Sequence, residues 1–145
     1  MSFLEYGGLE ARSLQKLALR DAAYGRVTCE LEIEKMHTNR FGTLHGGTIA
    51  TLVDLVGSLA IASRGYFSTG VSTDLNCTYV RSGGVVGQRI HVEAICDNAG
   101  RSLAYTDVTF RDDTRRLFAR GSHTKFLGKA ASHPQNNLEE LKAQS

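Results

Sequence analysis

The sequence predicts an α+β fold: one long helix packed on an antiparallel sheet of five to six strands. Three observations predict it. The stretch "TIATLVDLVGSLAIAS" (48–63) carries apolar residues at helical spacing. Five other stretches alternate apolar and polar residues with a period of two. The joints between the later strands are short and turn-forming, which favours an antiparallel meander.

Taken in order, residues 9–20 place Leu9, Leu14, Leu17 and Ala18 at roughly helical spacing, so an N-terminal helical segment is expected within 1–22. "GRVTCELEIE" sets Val27, Cys29, Leu31 and Ile33 against Thr28, Glu30, Glu32 and Glu34, the pattern of a half-buried strand. In 48–63, Ile49, Leu52, Val53, Val56 and Ala60 form one apolar stripe. "GVSTDLNCTYV" (70–80) alternates Val71, Thr73, Leu75, Cys77 and Tyr79 against Ser72, Asp74, Asn76 and Thr78. "QRIHVEAIC", "SLAYTDVTF" and "RLFARGSHTKF" complete the strands, joined through "DNAG" and "RDDT". The expected organisation is one domain over 1–128 and a polar tail over 129–145, frayed apart from a helical turn at 137–143. A five-strand open sheet leaves two edges, and a dimer that continues the sheet across a two-fold axis would protect one of them.

Composition removes several function classes. The chain has 145 residues, 41% apolar and 22% charged, the make-up of one ordinary globular domain. Its longest mostly apolar stretch, 49–62, contains Asp54 and Ser58 and is too short to span a bilayer. A net charge of +2 gives no argument for nucleic acid. Cys29, Cys77 and Cys96 form no Cys-x-x-Cys pair and no even set, so reduced cysteines in an intracellular protein are expected. The N-terminus shows no secretory pattern, which leaves cytoplasm or mitochondrion as the expected compartment. No metal site is expected, because His91 and His123 fall within strands and read as packed or surface histidines. No Gly-x-Ser-x-Gly elbow is present.

The chemistry concentrates in "HTNRFGTLHGG" (37–47) and the helix behind it. Gly46 and Gly47 stand where the first helical N–H groups lack partners and where the dipole favours negative charge. Glycine lets a ligand approach that backbone. The pair either permits a tight turn or forms an oxyanion site for acyl transfer. Asp54 lies about two turns into the helix, off the apolar stripe. Its face carries Ala50, Thr51, Ser58 and Ile61, and 48–63 contains no Lys or Glu. That side is therefore expected to meet another protein surface, a partner subunit, where the carboxylate can act as general base or nucleophile.

"HTNRFGTLHGGTIATLVDLVGSLA", "GVSTDLNCTYVR" and "GRSLAYTDVTF" together resemble the hotdog-fold acyl-CoA thioesterases, in the branch of the phenylacetate-pathway and thioesterase superfamily member proteins. The resemblance runs from about residue 24 to 127. It implies a hotdog fold, hydrolysis of acyl-CoA to a free acid and CoA in lipid metabolism, and no cofactor, coenzyme A being part of the substrate. It implies that Asn39 and Gly46 polarise the thioester carbonyl. It places Asp54 of the opposing subunit, with Ser72, on the attacking water. His45 matches the motif His, which either donates to the leaving sulfur or carbonyl or braces the turn. Tyr79, Arg81, Gly100, Arg101 and Ser102 become CoA contacts by the same resemblance. A homodimer, paired into a dimer of dimers, is implied as well. The loop "YVRSGGVVGQ" departs from the family's usual Tyr-x-x-Pro-Ala-Lys/Arg, which puts the CoA contacts there in question.

His37 reads as a structural hydrogen-bonding residue. Arg111, Arg115, Arg116 and Arg120 form either a solvated turn or a set of phosphate contacts. Two rival functions remain: a non-catalytic acyl-CoA binder, and a dehydratase, which would need a His and an acid placed for proton abstraction.

Overall fold

The computed structural model describes residues 5–143. Its elements are α1 (Leu9–Ser13), β1 (Ala18–Ala23), β2 (Arg26–Glu32), α2 (Gly46–Ala62), β3 (Val71–Tyr79), β4 (Arg89–Ala99), β5 (Leu103–Arg111), β6 (Leu117–Phe126) and α3 (Leu138–Ala143). Short 3₁₀ turns lie at Lys35–His37 and Gly128–Ser132. The six strands form one antiparallel sheet in the order β1-β2-β4-β5-β6-β3. This is the predicted hotdog arrangement, with the sheet curled around α2.

The period-two pattern explains the core. Val27, Cys29 and Leu31 of β2, Ile90, Val92 and Ala94 of β4, and Ala104, Val108 and Phe110 of β5 all face α2 and are buried. From the helix, Ile49, Leu52, Val53, Val56 and Ala60 are buried, which is the whole predicted stripe. Burial of such side chains contributes roughly 1.5–3 kcal/mol each, so the helix–sheet contact dominates stability.

Three expectations are corrected. The helical segment expected within 1–22 is helical only over Leu9–Ser13, and Ala18–Ala23 is a strand. That strand is a sheet edge, held by backbone pairing to β2 and closed by the two-residue loop Tyr24-Gly25, where Gly25 has φ 73°. Five of its six residues are exposed, so no apolar alternation marks it. Residues 1–4 of that segment lie outside the described residues. Second, the tail beyond 128 packs where fraying was expected: Ala130 is buried, Asn136 accepts a hydrogen bond from the Phe67 N–H at 2.9 Å, and the Asn137 N–H donates to the Gly65 carbonyl at 2.8 Å. The expected turn at 137–143 is present as α3, and residues 144–145 lie outside the description. Third, the face of α2 expected to need another subunit is partly covered by the chain itself. Ser58 and Ile61 are buried, while Ala50, Thr51 and Asp54 remain half-buried.

Candidate active site

At the N-terminus of α2 the N-cap is His45, whose Nδ1 accepts the Gly47 N–H at 2.7 Å. The imidazole performs the task usually given to Ser, Thr, Asp or Asn. Among the described residues the N–H of Gly46, the first helical residue, donates no hydrogen bond. The Tyr79 hydroxyl donates to the Gly46 carbonyl at 3.0 Å, and a Cβ on Gly46 would stand 3.3 Å from the Tyr79 ring. The isolated antiparallel bridge Thr38↔Leu44 folds the loop of Asn39 back beside this helix end. Asn39 Oδ1 accepts the Phe41 N–H at 2.9 Å and the Thr43 N–H at 3.2 Å, while Nδ2 donates to Thr43 Oγ1 at 2.9 Å. The carboxamide is thereby held in one orientation. His37 is a buried brace, as expected: Nδ1 accepts the Glu34 N–H and Nε2 meets the Ser13 carbonyl.

A second cluster lies midway along α2. Asp54 Oδ1 is 3.4 Å from Ser72 Oγ and 3.4 Å from His123 Nε2, and Ser72 Oγ is 2.7 Å from His123 Nε2. The Asp54 side chain is 44% exposed, whereas His123 is fully buried. Strict alternation would turn Ser72 away from Leu75, which pairs with the helix-facing His123. A β-bulge between Ser72 and Asp74 shifts the register, so that Ser72 pairs with Lys125 and both point toward α2.

Burial pushes the His123 imidazole below its ordinary range. The Asp54 charge opposes this, Lys125 adds to it, and Asp74 opposes it. At neutral pH the ring is therefore uncharged, and its 3.4 Å approach to Asp54 Oδ1 is a contact between a neutral ring and the carboxylate. His123 Nδ1 is buried without a partner. An orphaned N–H costs more than an orphaned lone pair, so the proton belongs on Nε2, which donates toward Ser72. Gly57 makes room for this ring: a Cβ there would stand 2.8 Å from Thr106 Oγ1 and 3.2 Å from His123 Nδ1.

The site residues expected from the sequence thus fall into three groups, two of them along α2 and one at the β4–β5 turn. Asn39, His45, Gly46 and Tyr79 gather at the helix N-terminus, and the exposed Arg81 follows Tyr79, its N–H bonded to the Phe118 carbonyl. Asp54 and Ser72 gather midway along. Gly100, Arg101 and Ser102 form the exposed β4–β5 turn, tied by the Ser102 carbonyl to the Leu127 N–H at 2.7 Å, near the Ser72 end of β6. Gly100 and Arg101 line a cavity of about 500 Å³ with Tyr66, Ala131 and Leu138. Along one helix, the eight residues from Gly46 to Asp54 span roughly 12 Å at 1.5 Å per residue. Arg111 and Arg115 lie apart from both, lining a cavity of about 350 Å³ on the sheet face away from α2 with Arg20, Arg26 and His91.

Sequence reasoning missed His123 and Lys125. The signal was present: in "ARGSHTK" the alternating row Ala119, Gly121, His123, Lys125 places two polar residues on a buried face.

A sheet curled around one helix, with a free Gly46 N–H at the helix N-terminus and an acid midway along, defines a hotdog protein built around that helix. The thioesterase superfamily profile matches residues 41–119. Human acyl-coenzyme A thioesterase 13 is 43% identical over 118 residues, covering 81% of this chain and 84% of that one. The crystal structure of zebra fish thioesterase superfamily member 2 superposes with a TM-score of 0.78 at 43% identity, covering 83% of this chain and 87% of that one. A Streptococcus mutans protein crystallised with acetyl CoA gives 0.73 at 26% identity, covering 82% and 94%. The chain belongs to the thioesterase superfamily and is a thioester hydrolase. No helix among the described residues is long and apolar enough to cross a membrane.

Proposed function

We propose that the protein hydrolyses acyl-CoA thioesters in a site assembled from two copies of the chain. The observation that carries this reading is the division of the polar residues into two half-sites that one helix holds roughly 12 Å apart. The exposed edge strand β3 runs from Ser72, beside Asp54, to Tyr79, beside Gly46. Pairing β3 with its two-fold mate antiparallel would set the Ser72 end of one protomer against the Tyr79 end of the other. The same operation would join Gly100, Arg101 and Ser102 of one copy to Tyr79 and Arg81 of the next as the wall of a CoA site.

In this arrangement the Gly46 N–H and the Asn39 carboxamide polarise the thioester carbonyl and stabilise the oxyanion as it forms. Asp54 from the second copy takes a proton from water while the water oxygen attacks the carbonyl carbon. Ser72, its oxygen fixed by His123 Nε2–H, directs its own hydroxyl toward that water or toward Asp54. Collapse of the tetrahedral intermediate breaks the C–S bond, releasing the acid, and the CoA thiolate takes up a proton. The chemistry draws on water, backbone and side chains, with no cofactor. His45 serves as the N-cap, leaving leaving-group donation as the alternative role for its ring. The family resemblance supports paired dimers, and the free cysteines Cys29, Cys77 and Cys96 accord with action in the cytosol or mitochondrion.

The test is a panel of short, medium, long and aromatic acyl-CoAs, with free CoA read by a thiol reagent and protomer number by light scattering. The expected result is CoA release by a dimer or larger assembly. Acyl-CoA retained without CoA release would identify a binder, and an active monomer would refute the two-copy site.

A further inference from the structure

The described molecule contains one buried ammonium group that the proposed reaction does not use. Lys125 is 6% exposed and lies on the helix-facing row of β6, two residues from His123 and across from Ser72. Its Nζ donates to Ser58 Oγ at 2.7 Å and to Thr69 Oγ1 at 3.3 Å. Both partners are neutral, and among the described residues no carboxylate stands within ion-pair distance of Nζ. Burying a cation without a direct counterion is costly, and an apolar residue of similar length would avoid that cost. Packing alone therefore gives no reason for lysine here. Its place does: Ser58 lies one helical turn beyond Asp54, so the ammonium group sits beside the Asp54–Ser72–His123 cluster.

We propose that Lys125 is a positioning residue for that cluster, its anchored charge holding His123 in the neutral form that donates from Nε2 to Ser72. This rests on the hydrolytic reading above and adds a residue to it. The groups facing His123 are Asp54 on α2, Asp74 and Ser72 on β3, Thr106 on β5 and Lys125 on β6. Burial pushes the Lys125 ammonium below its ordinary range, and Asp54 and Glu10 of α1 oppose this and favour the charged form. Asp54 favours a second proton on His123. An imidazolium there would pair with Asp54 and occupy the carboxylate that must accept a proton from water. It would also place an N–H on the partnerless Nδ1. Lys125 opposes that protonation, and burial acts in the same direction.

The experiment follows the imidazole of His123 by NMR across pH, together with the pH profile of kcat/KM, in the native protein, Lys125→Met and Lys125→Arg. In Lys125→Met the His123 titration and the acid limb of kcat/KM should move up together by about one pH unit. Lys125→Arg should keep both near the native positions. A folded Lys125→Met with both unmoved would overturn the proposal, as would equal shifts in the two variants. Should Lys125→Met fail to fold, Lys125→Gln takes its place, with the same upward shift expected and an unmoved His123 titration overturning the proposal. The NMR readout needs no turnover. Expected shifts in a protein that releases no CoA would therefore refute the hydrolytic reading while leaving the Lys125–His123 coupling standing.

Discussion

The two proposed half-sites of α2 are built in different ways. The N-terminal one is made of backbone: a free Gly46 N–H, a histidine cap and an Asn39 loop closed on itself by local bonds. Its parts lie within a few residues of one another, apart from Tyr79. The mid-helix one is made of side chains from three elements, with Asp54 from α2, Ser72 from β3 and His123 from β6. Local chain geometry secures the first, and tertiary packing secures the second. The first should therefore tolerate change far from it, whereas the second should respond to volume and charge anywhere beneath it.

The hardest test of this contrast is Asp54→Ala. With its side chain 44% exposed, the loss should leave folding and assembly intact. Turnover should fall by about a thousandfold or more, because the water loses its base. Near-native turnover in steady-state assays would refute the role. The next test separates the half-sites directly. Asp54→Ala and Asn39→Ala proteins, each inactive, should regain measurable activity when mixed and reassembled, since one of the two sites in the hybrid then carries both intact halves. Hybrids that stay inactive would show that both halves act within one chain. Gly57→Ala should cost about 1–3 kcal/mol in denaturant unfolding and also slow turnover, because the new methyl crowds Thr106 and His123.

A smaller effect concerns acid stability. His123 is held neutral by burial, so the unfolded chain takes up that proton at higher pH than the folded one. Its contribution to stability is complete above about pH 6.5 and is lost as pH falls from there toward the lower folded value. Unfolding midpoints at pH 7 and pH 5 should therefore differ less in His123→Gln than in the native protein. The smallest effect belongs to the cap. His45→Ala should lower stability by about 1 kcal/mol, and His45→Ser should restore it. A large fall in kcat that His45→Ser fails to rescue would assign the ring to leaving-group chemistry.

The same contrast explains what the sequence made legible. Helix α2 and strands β2, β4, β5 and β6 announce themselves because each buries one face, and burial imposes a period. Strand β1 buries almost nothing and joins the sheet through backbone bonds, which leave no side-chain pattern. The N-terminal half-site was legible because its motif is contiguous. Asp54 stood out as the one acid in an apolar segment. Ser72 was placed beside it only by family resemblance, since alternation pointed it the other way, and a bulge is invisible in composition. His123 and Lys125 read as ordinary strand residues because their partners lie more than fifty positions away at Ser72, Asp54, Ser58 and Thr69. The tail had no apolar pattern because Asn136 and Asn137 secure it through polar bonds.

The extra residue at Thr73 has an evolutionary corollary. A related gene lacking that one codon would still set the Ser72 hydroxyl opposite Lys125, because the strand would then pair without a bulge. A gene that keeps the codon but pairs Thr73 in regular register would turn that hydroxyl to the outer surface. Strand pairing, more than the motifs themselves, is where divergence among related genes should be sought.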